Sequence, residues 1–192
     1  MGRGHGLPID RWYIDALCRE HRDRIIGHTL EVGTPHYTRR FGQPDQVDVV
    51  DILAGPEVTI VADLQHAPDV PDARFDCIIC TQTLQYLPSP NAGVATLGRL
   101  LKPGGTLLLS VPALSPIDDE YDTDWLWMFT APGLRAILDG GFAGADITVT
   151  GHGNLALARR FLDGTVTSEV SPRLLTAADP RYPIVITAVV RT

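Results

Sequence analysis

Apolar positions along the chain follow two different periods. From Ile9 to Ile26 the residues Ile9, Trp12, Tyr13, Ala16 and Leu17 recur at helical spacing with charged residues between them, which predicts an amphipathic helix. Asp10 is placed to cap that helix and Gly27 to stop it. Residues 1–8 ahead of it are rich in glycine and are expected to form a flexible tail. Beyond Gly27 the pattern shortens to strand-sized apolar runs. Thr29–Val32, Val47–Val50, Val58–Ala62, Phe75–Cys80 and Thr106–Val111 read as five strands, with one or two helical turns at Tyr37–Phe41 after the first. Asn91–Leu101 sets Val94, Leu97 and Leu101 on one helical face and runs into Lys102-Pro103-Gly104-Gly105, which breaks the helix and turns the chain. Thr106–Val111 lacks polar alternation, as a strand covered on both sides does. A helix at Thr130–Leu138 capped by Thr130, a strand at Ala145–Val149, a helix at Asn154–Leu162 and a last strand at Tyr182–Val190 complete the series.

Strands alternating with helices predict an α/β domain built on a mostly parallel, Rossmann-like sheet with helices on both faces. One connection resists that picture. Only Asp51–Glu57 separates the second strand from the third, whereas a parallel crossover usually takes roughly a dozen residues. Either a short extended loop replaces the crossover helix, or these two strands are arranged differently from the rest.

A length of 192 residues suits one domain, here 9–192, with enough chain to bury a real core. A net charge of −7 argues against a nucleic-acid partner, since phosphate binding needs a surplus of Lys and Arg. Cys77 and Cys80 form a C-x-x-C, but within a strand they point to opposite faces, so they neither close a disulfide nor chelate a metal. No run reaches membrane-spanning length and the N-terminus has no apolar leader core, so a cytoplasmic address is expected.

In open α/β sheets ligands bind beyond the carboxyl ends of the strands, so the residues just after each strand matter most. They are Glu31-Val32-Gly33-Thr34-Pro35-His36-Tyr37, Asp51-Ile52-Leu53, Asp63-Leu64, and Cys80-Thr81-Gln82-Thr83-Leu84. Asp51 and Asp63 can equally be turn residues, a position Asp favours for local hydrogen bonding. Glu31 at the buried end of a strand must be paired.

Five segments in this order carry a family resemblance: Leu30-Glu31-Val32-Gly33, Val61-Ala62-Asp63-Leu64, Phe75-Asp76-Cys77-Ile78-Ile79, Leu84-Gln85-Tyr86-Leu87, and Leu100-Leu101-Lys102-Pro103-Gly104-Gly105-Thr106-Leu107-Leu108. Together the chain resembles the S-adenosylmethionine-dependent class I methyltransferases, most closely the small-molecule group called type 11. The resemblance implies S-adenosylmethionine as cofactor and an antiparallel last strand. It implies that Glu31 orients the amino and carboxylate end of the cofactor, with Gly33 and Thr34 beside it. Asp51 would accept from the ribose hydroxyls, Asp63 from the adenine amino group, and Ile52 and Leu64 would flank the ring. Thr81 and Gln82 would border the methionine portion, and Asp76 would be architectural.

The chain departs from the family at the glycine-rich loop, where Pro35 and Tyr37 replace the second and third glycines. Either the loop is displaced, with Tyr37 or His36 lining the methionine end, or the Tyr37 ring fills the pocket and cofactor binding is lost. On the acceptor side, Ser115–Trp127 combines a dense run of carboxylates with aromatics, readable as a solvated loop, a substrate rim or a divalent-metal site; no metal is expected. Tyr86, Trp125 and Trp127 are candidate walls of an acceptor pocket, the two tryptophans equally readable as core. His152 and His36 are the candidate general bases, since imidazole titrates near neutral pH.

The expected function is methyl transfer to oxygen or nitrogen of a small polar metabolite such as a sugar or secondary metabolite. The alternatives are a catalytically silent methyltransferase fold acting as a binding or partner protein, and an enzyme that uses the bound sulfonium without methyl transfer. A nicotinamide dehydrogenase is disfavoured, because no G-x-G-x-x-G follows the first strand. The apolar last strand and the aromatic N-terminal helix offer surfaces for a homodimer.

Overall fold

The computed structural model describes residues 6–117 and 123–192. Helices α1 (Ile9–Glu20), α2 (His36–Phe41), α3 (Pro90–Leu100), α4 (Ala131–Gly141), α5 (Leu155–Leu162) and α6 (Pro172–Thr176) surround strands β1 (Ile26–Val32), β2 (Gln43–Asp51), β3 (Ile60–Val61), β4 (Phe75–Thr81), β5 (Leu101–Pro112), β6 (Asp146–His152) and β7 (Val185–Arg191). The strands form one sheet in the order β3-β2-β1-β4-β5-β7-β6. β7 runs antiparallel to both of its neighbours, and the other pairings are parallel. Strand order reverses between β1 and β4, so the carboxyl ends of β1, β2 and β4 open a crevice there.

The short second crossover is real, and its cause is β3 itself. Val50 pairs with Ile60 and Asp51 with Val61, so a two-residue edge strand sits beside the carboxyl end of β2. The chain has no sheet to retrace, and a loop with a turn closed by Val58 N–H donating to the Gly55 carbonyl suffices.

The sheet separates two apolar layers. Ile78, Cys80, Leu107, Leu109, Ile186 and Ala188 face α3, α4 and the segment Leu64–Val70. Cys77, Ile79, Leu108 and Val189 face Ile14, Leu17 and Cys18 of α1 together with Tyr37. Cys77 and Cys80 thus lie in opposite layers, both as free thiols. A third cluster joins Ile9 and Tyr13 of α1 to Leu157, Phe161 and Leu175 of α5 and α6. α3 and α4 approach through glycines: a Cβ on Gly98 would lie 2.3 Å from the Gly141 carbonyl oxygen.

Several sequence expectations need correction. α1 ends at Glu20, because Arg22–Arg24 tightens into a 3-10 turn and Ile26 already belongs to β1. Gly27 therefore stops nothing; it sits in β1 at φ +64, where an added Cβ would strike the Asp76 carboxylate. Asp10 does not cap α1, whose N-cap position is Pro8 with no side-chain cap. The expected flexible tail is already held at its end, where Thr167 N–H donates to the Leu7 carbonyl and Pro8 bridges to Val166. Lys102–Gly105 is not a free turn: Leu101 already pairs with Phe75, and Gly104 at φ +80 carries a bulge within β5. α6 was missed, since Pro172–Thr176 is too short to show a period. Thr130 does cap α4 as expected, its hydroxyl accepting from Gly133 N–H.

Polar ties hold the strands to one another away from their carboxyl tips. Asp76 accepts from His28 N–H and Lys102 Nζ, both at 2.8 Å, which makes it architectural. Asp48 is buried, with Oδ2 accepting from Arg74 at 2.6 Å and bonded to His28 Nε2 at 2.8 Å, while Oδ1 accepts from the Thr59 hydroxyl. Burial pushes the Asp48 carboxyl up, but Thr59, His28 and the Arg74 charge outweigh it and hold the group below its ordinary value.

A folded-state value below the unfolded one adds stability above the unfolded value, about 3.9, and that stability disappears as pH falls through the lower folded value. Asp48→Asn should cost about 1.5–3 kcal/mol near neutral pH. Urea midpoints of wild type and variant should converge as the pH is lowered through the acid range. Gly98→Ala should lose about 1–3 kcal/mol to the backbone clash, partly offset by about 1 kcal/mol of helix propensity, read as a lower urea midpoint at unchanged slope.

Candidate functional site

The last but one residue of β1 is a buried carboxylate. Glu31 is 2% exposed, and its two oxygens accept from Tyr37 N–H at 2.9 Å and Thr38 N–H at 2.8 Å, the otherwise unpartnered amides of the first turn of α2. Burial pushes its carboxyl up, opposed by the Thr38 hydroxyl, these two amides and the charge of His36. The loop between them turns at Gly33, at φ +88, whose N–H donates to the Val50 carbonyl; a Cβ there would project into open space.

That space belongs to a cleft of about 580 Å³ across the tips of β1, β2 and β4. It lies within the roughly 300–1,000 Å³ typical of small-molecule sites. Gly33, Asp51, Ile52, Asp63, Leu64, Thr81, Gln82 and Tyr86 all line it, with Asp124 at its rim. Asp51 makes the local turn expected of a post-strand Asp, Oδ1 accepting from Leu53 N–H at 2.9 Å; among the described residues no donor reaches Oδ2. Asp63 likewise accepts from Gln65 N–H, and this bond, with Gln65 and His66 nearby, holds its carboxyl below the ordinary value. The turn reading and the cleft-lining reading of both residues hold together. Ile52 and Leu53 stand 66% and 72% exposed at the mouth, an apolar lip with nothing on it among the described residues.

A second cavity of about 360 Å³ adjoins it and shares Val32, Gly33 and Thr81. Glu31, Thr34, His36 and Tyr37 line it with Leu7, Arg11 and Asp15. Tyr37 is 4% exposed, its ring packed in the α1-facing layer and its hydroxyl accepting from Arg11 at 3.3 Å. It walls the smaller cavity and is absent from the lining of the larger one, so the ring does not plug the cleft. Pro35 occupies the N-cap position of α2, where no side-chain cap is made. Arg11 and Asp15 were not singled out from the sequence. Both sit on the polar stripe of α1 and read there as solvated charges, yet Asp15 is 2% exposed and paired with Arg40 at 2.7 Å.

Gln82 carries strain and an orphan. It is a non-glycine residue at φ +50, and its Nε2 is buried with no partner among the described residues. Such costs concentrate where a ligand offsets them. The open cradle at Gly33, the apolar lip and this unspent donor fit a flat nucleoside joined to a polar chain.

Past β5, Leu126 N–H donates to the Gln85 carbonyl and the Trp127 indole to the Leu87 carbonyl, folding the chain back over the cleft. Trp125 packs edge-on against Tyr86 with ring centres 5.5 Å apart, while Trp127 stays 43% exposed. Neither tryptophan is core, and neither lines the cleft directly. His152 lies elsewhere, at the end of β6, stacked on Tyr13 and bonded through Nε2 to the Thr187 hydroxyl at 2.7 Å. Among the described residues no three His, Cys, Asp or Glu side chains form a metal-holding group. Asp118, Asp119, Glu120 and Asp122 of the acidic run lie outside the described residues. No helix among those described is long and apolar enough to cross a membrane.

Known proteins share this fold. A family model described as a methyltransferase domain matches residues 13–139, more than half of the chain. The ubiquinone/menaquinone biosynthesis C-methyltransferase of Saccharophagus degradans is 31% identical over 103 residues, covering 52% of this chain and 41% of that protein. The ubiquinone biosynthesis O-methyltransferase of Paracidovorax citrulli is 31% identical over 83 residues, covering 43% of this chain and 26% of that protein. The chain therefore spans less than half the length of either relative. The solved structure of Burkholderia thailandensis 1,6-didemethyltoxoflavin-N1-methyltransferase, with 1,6-didemethyltoxoflavin and S-adenosylhomocysteine bound, shares the fold. It aligns with a TM-score of 0.59 at 17% identity over 94% of this chain and 76% of that one. The chain belongs to the methyltransferase-domain family.

Proposed function

We propose that the protein transfers a methyl group to an oxygen or nitrogen of a small polar metabolite, of sugar or secondary-metabolite size, with the cofactor in the strand-tip cleft. The carrying observation is the convergence of Asp51, Ile52, Asp63, Leu64, Thr81 and Gln82 on one cavity. When bound, S-adenosylmethionine supplies an electrophilic methyl group on a sulfonium. Asp51 Oδ2 accepts from a ribose hydroxyl, since its other oxygen is spent on Leu53 N–H. Asp63 accepts from the adenine amino group, with Ile52 and Leu64 on the ring faces. Glu31 acts through α2, holding the loop that walls the methionine end, rather than by spending both oxygens on a ligand. Thr81 and Gln82 border the reacting end, and the Tyr86–Trp125 pair with Asp124 forms the acceptor rim. Orienting acceptor and methyl carbon in line supplies most of the acceleration for an acidic hydroxyl or an amine.

The relatives' names span carbon and oxygen acceptors in quinone biosynthesis. The oxygen reading follows the second, and the polar rim supports a polar acceptor. The silent-fold alternative drew its strength from Tyr37, and the position of that ring within the core layer removes the obstruction it required.

Calorimetry with S-adenosylmethionine and S-adenosylhomocysteine should give saturable binding, weakened at least about tenfold by Asp51→Ala through loss of a charge-assisted hydrogen bond. Absence of heat from the wild type at high ligand concentration would sink the proposal in favour of a silent fold. Tyr37→Gly should gain no affinity. It should instead lower the urea midpoint, with a cost of about 3–5 kcal/mol for emptying a buried aromatic site; tighter binding would restore the obstruction reading.

A further inference from the structure

We propose that the smaller cavity is a carboxylate site whose cation is Arg11 of α1; the inference rests on the reading of the adjoining cleft as the nucleoside site. Arg11 lines that cavity, and its contacts leave most of its donors unused. A guanidinium carries five N–H donors in a fixed fork. Among the described residues Arg11 meets the Tyr37 hydroxyl, 3.3 Å from Nη1, and the Asp10 carboxylate, 3.9 Å from Nε. The first partner is neutral and distant, and the second lies beyond hydrogen-bond reach. The Arg11 side chain is 42% exposed, so a ligand entering the cavity reaches it without rearrangement.

The other charged groups on the wall already have partners. Glu31 accepts from two α2 amides, and Asp15 is held by Arg40 at 2.7 Å. His36 stands edge-on to Tyr37, with ring centres 4.9 Å apart. Arg11 is the lining charge left without a counter-ion at hydrogen-bond distance among the described residues. Its place is fixed from both sides along α1. Ahead of it the Leu7 carbonyl accepts from Thr167 N–H, and one turn later Asp15 pairs with Arg40. The fork is therefore positioned before a ligand arrives, which lowers the ordering cost of binding one.

A carboxylate is the group that matches this fork, through two parallel N–H···O bonds stronger than any contact Arg11 now makes. It has two possible sources. The cavity shares Val32, Gly33 and Thr81 with the larger cleft, so the amino-acid end of a cofactor whose nucleoside lies against Asp51 and Asp63 enters it. That end is a zwitterion. Arg11 answers its carboxylate, while Glu31, partnered by amides rather than by a cation, leaves negative charge on the same wall for its ammonium. The second source is a methyl acceptor that itself bears an acid. Tyr86, which lines the larger cleft, is near enough to Arg11 to act on its charge, so the fork also faces the acceptor rim.

The test compares ligands with and without the acid, by calorimetry on the full chain as wild type, Arg11→Gln and Arg11→Lys. S-adenosylhomocysteine and methylthioadenosine share nucleoside and sulfur, but only the first has the amino-acid end. Para-hydroxybenzoate and para-hydroxybenzamide share the phenol, but only the first is an anion. Arg11→Gln should weaken S-adenosylhomocysteine about 10- to 100-fold, the range for hydrogen bonds to a charged group, with methylthioadenosine within about twofold of wild type. That result assigns the site to the cofactor's carboxylate. A loss confined to para-hydroxybenzoate, with the benzamide unchanged, assigns it to the acceptor's. Arg11→Lys keeps the charge without the fork and should recover part of whichever loss occurs. Equal weakening of both nucleosides marks a merely structural Arg11 and overturns the proposal, as does an Arg11→Gln protein that binds every probe like wild type. A wild type that binds neither nucleoside refutes the cleft reading instead. The benzoate and benzamide pair then decides the site alone: a preference for the acid that Arg11→Gln abolishes upholds it, and no preference removes it.

Discussion

Everything at the ligand edge depends on one buried carboxylate and how it is satisfied. Glu31 reaches the tip of β1 among apolar neighbours, where an unpaired charge would be too costly to keep. Two amides of α2 meet it within hydrogen-bond distance. That contact fixes where α2 begins, which fixes the turn at Gly33, which keeps backbone rather than side chains on the wall of the cleft. Where a glycine-rich loop achieves a close approach by omitting side chains, this chain achieves it by tying the loop down from below.

The same tie explains how Pro35 and Tyr37 are tolerated. Proline removes a backbone donor at a position where α2 has no intrahelical use for one. Tyr37 lends its N–H to Glu31 and sends its ring the other way, into the layer beneath α1, where Arg11 meets its hydroxyl. A second link, Asp15 to Arg40, holds α1 to α2. The N-terminal helix thereby becomes a wall of the smaller cavity instead of a loose cover.

The sheet then does the positioning. Because β3 occupies only the carboxyl end of β2, Asp51 and Asp63 emerge close together although few residues separate their strands. Asp51 spends one oxygen on its own turn and Asp63 both of its oxygens on Gln65, which orients the two carboxylates. Asp76 serves the opposite, amino end of β4, and Asp48 in the middle of β2 ties β1 and the start of β4 through His28 and Arg74. Carboxylates at the two ends of one sheet thus do unlike work, and their partners decide which.

Much of this was written in the chain. Apolar periodicity located nearly every strand and the longer helices, because each buries a face that repeats at its own period. Post-strand position alone marked Asp51, Asp63, Thr81 and Gln82, since topology sends strand ends to one edge. What the chain could not show is what depends on partners distant in sequence. Glu31 was marked by its place at the end of β1, and only the closed fold shows the α2 amides on both its oxygens; Arg11 and Asp15 resembled surface charges until α2 packed against them. His152 was marked for its chemistry, but the pairing of β6 with β7 brings it to Thr187 instead of the cleft. Local pattern determined the elements and the edge of the sheet where polar residues gather, because period and turn chemistry act between near neighbours. Tertiary structure decided which of those residues face a cavity and which are spent on the fold, because that choice belongs to pairs of groups the chain brings together only once it has closed.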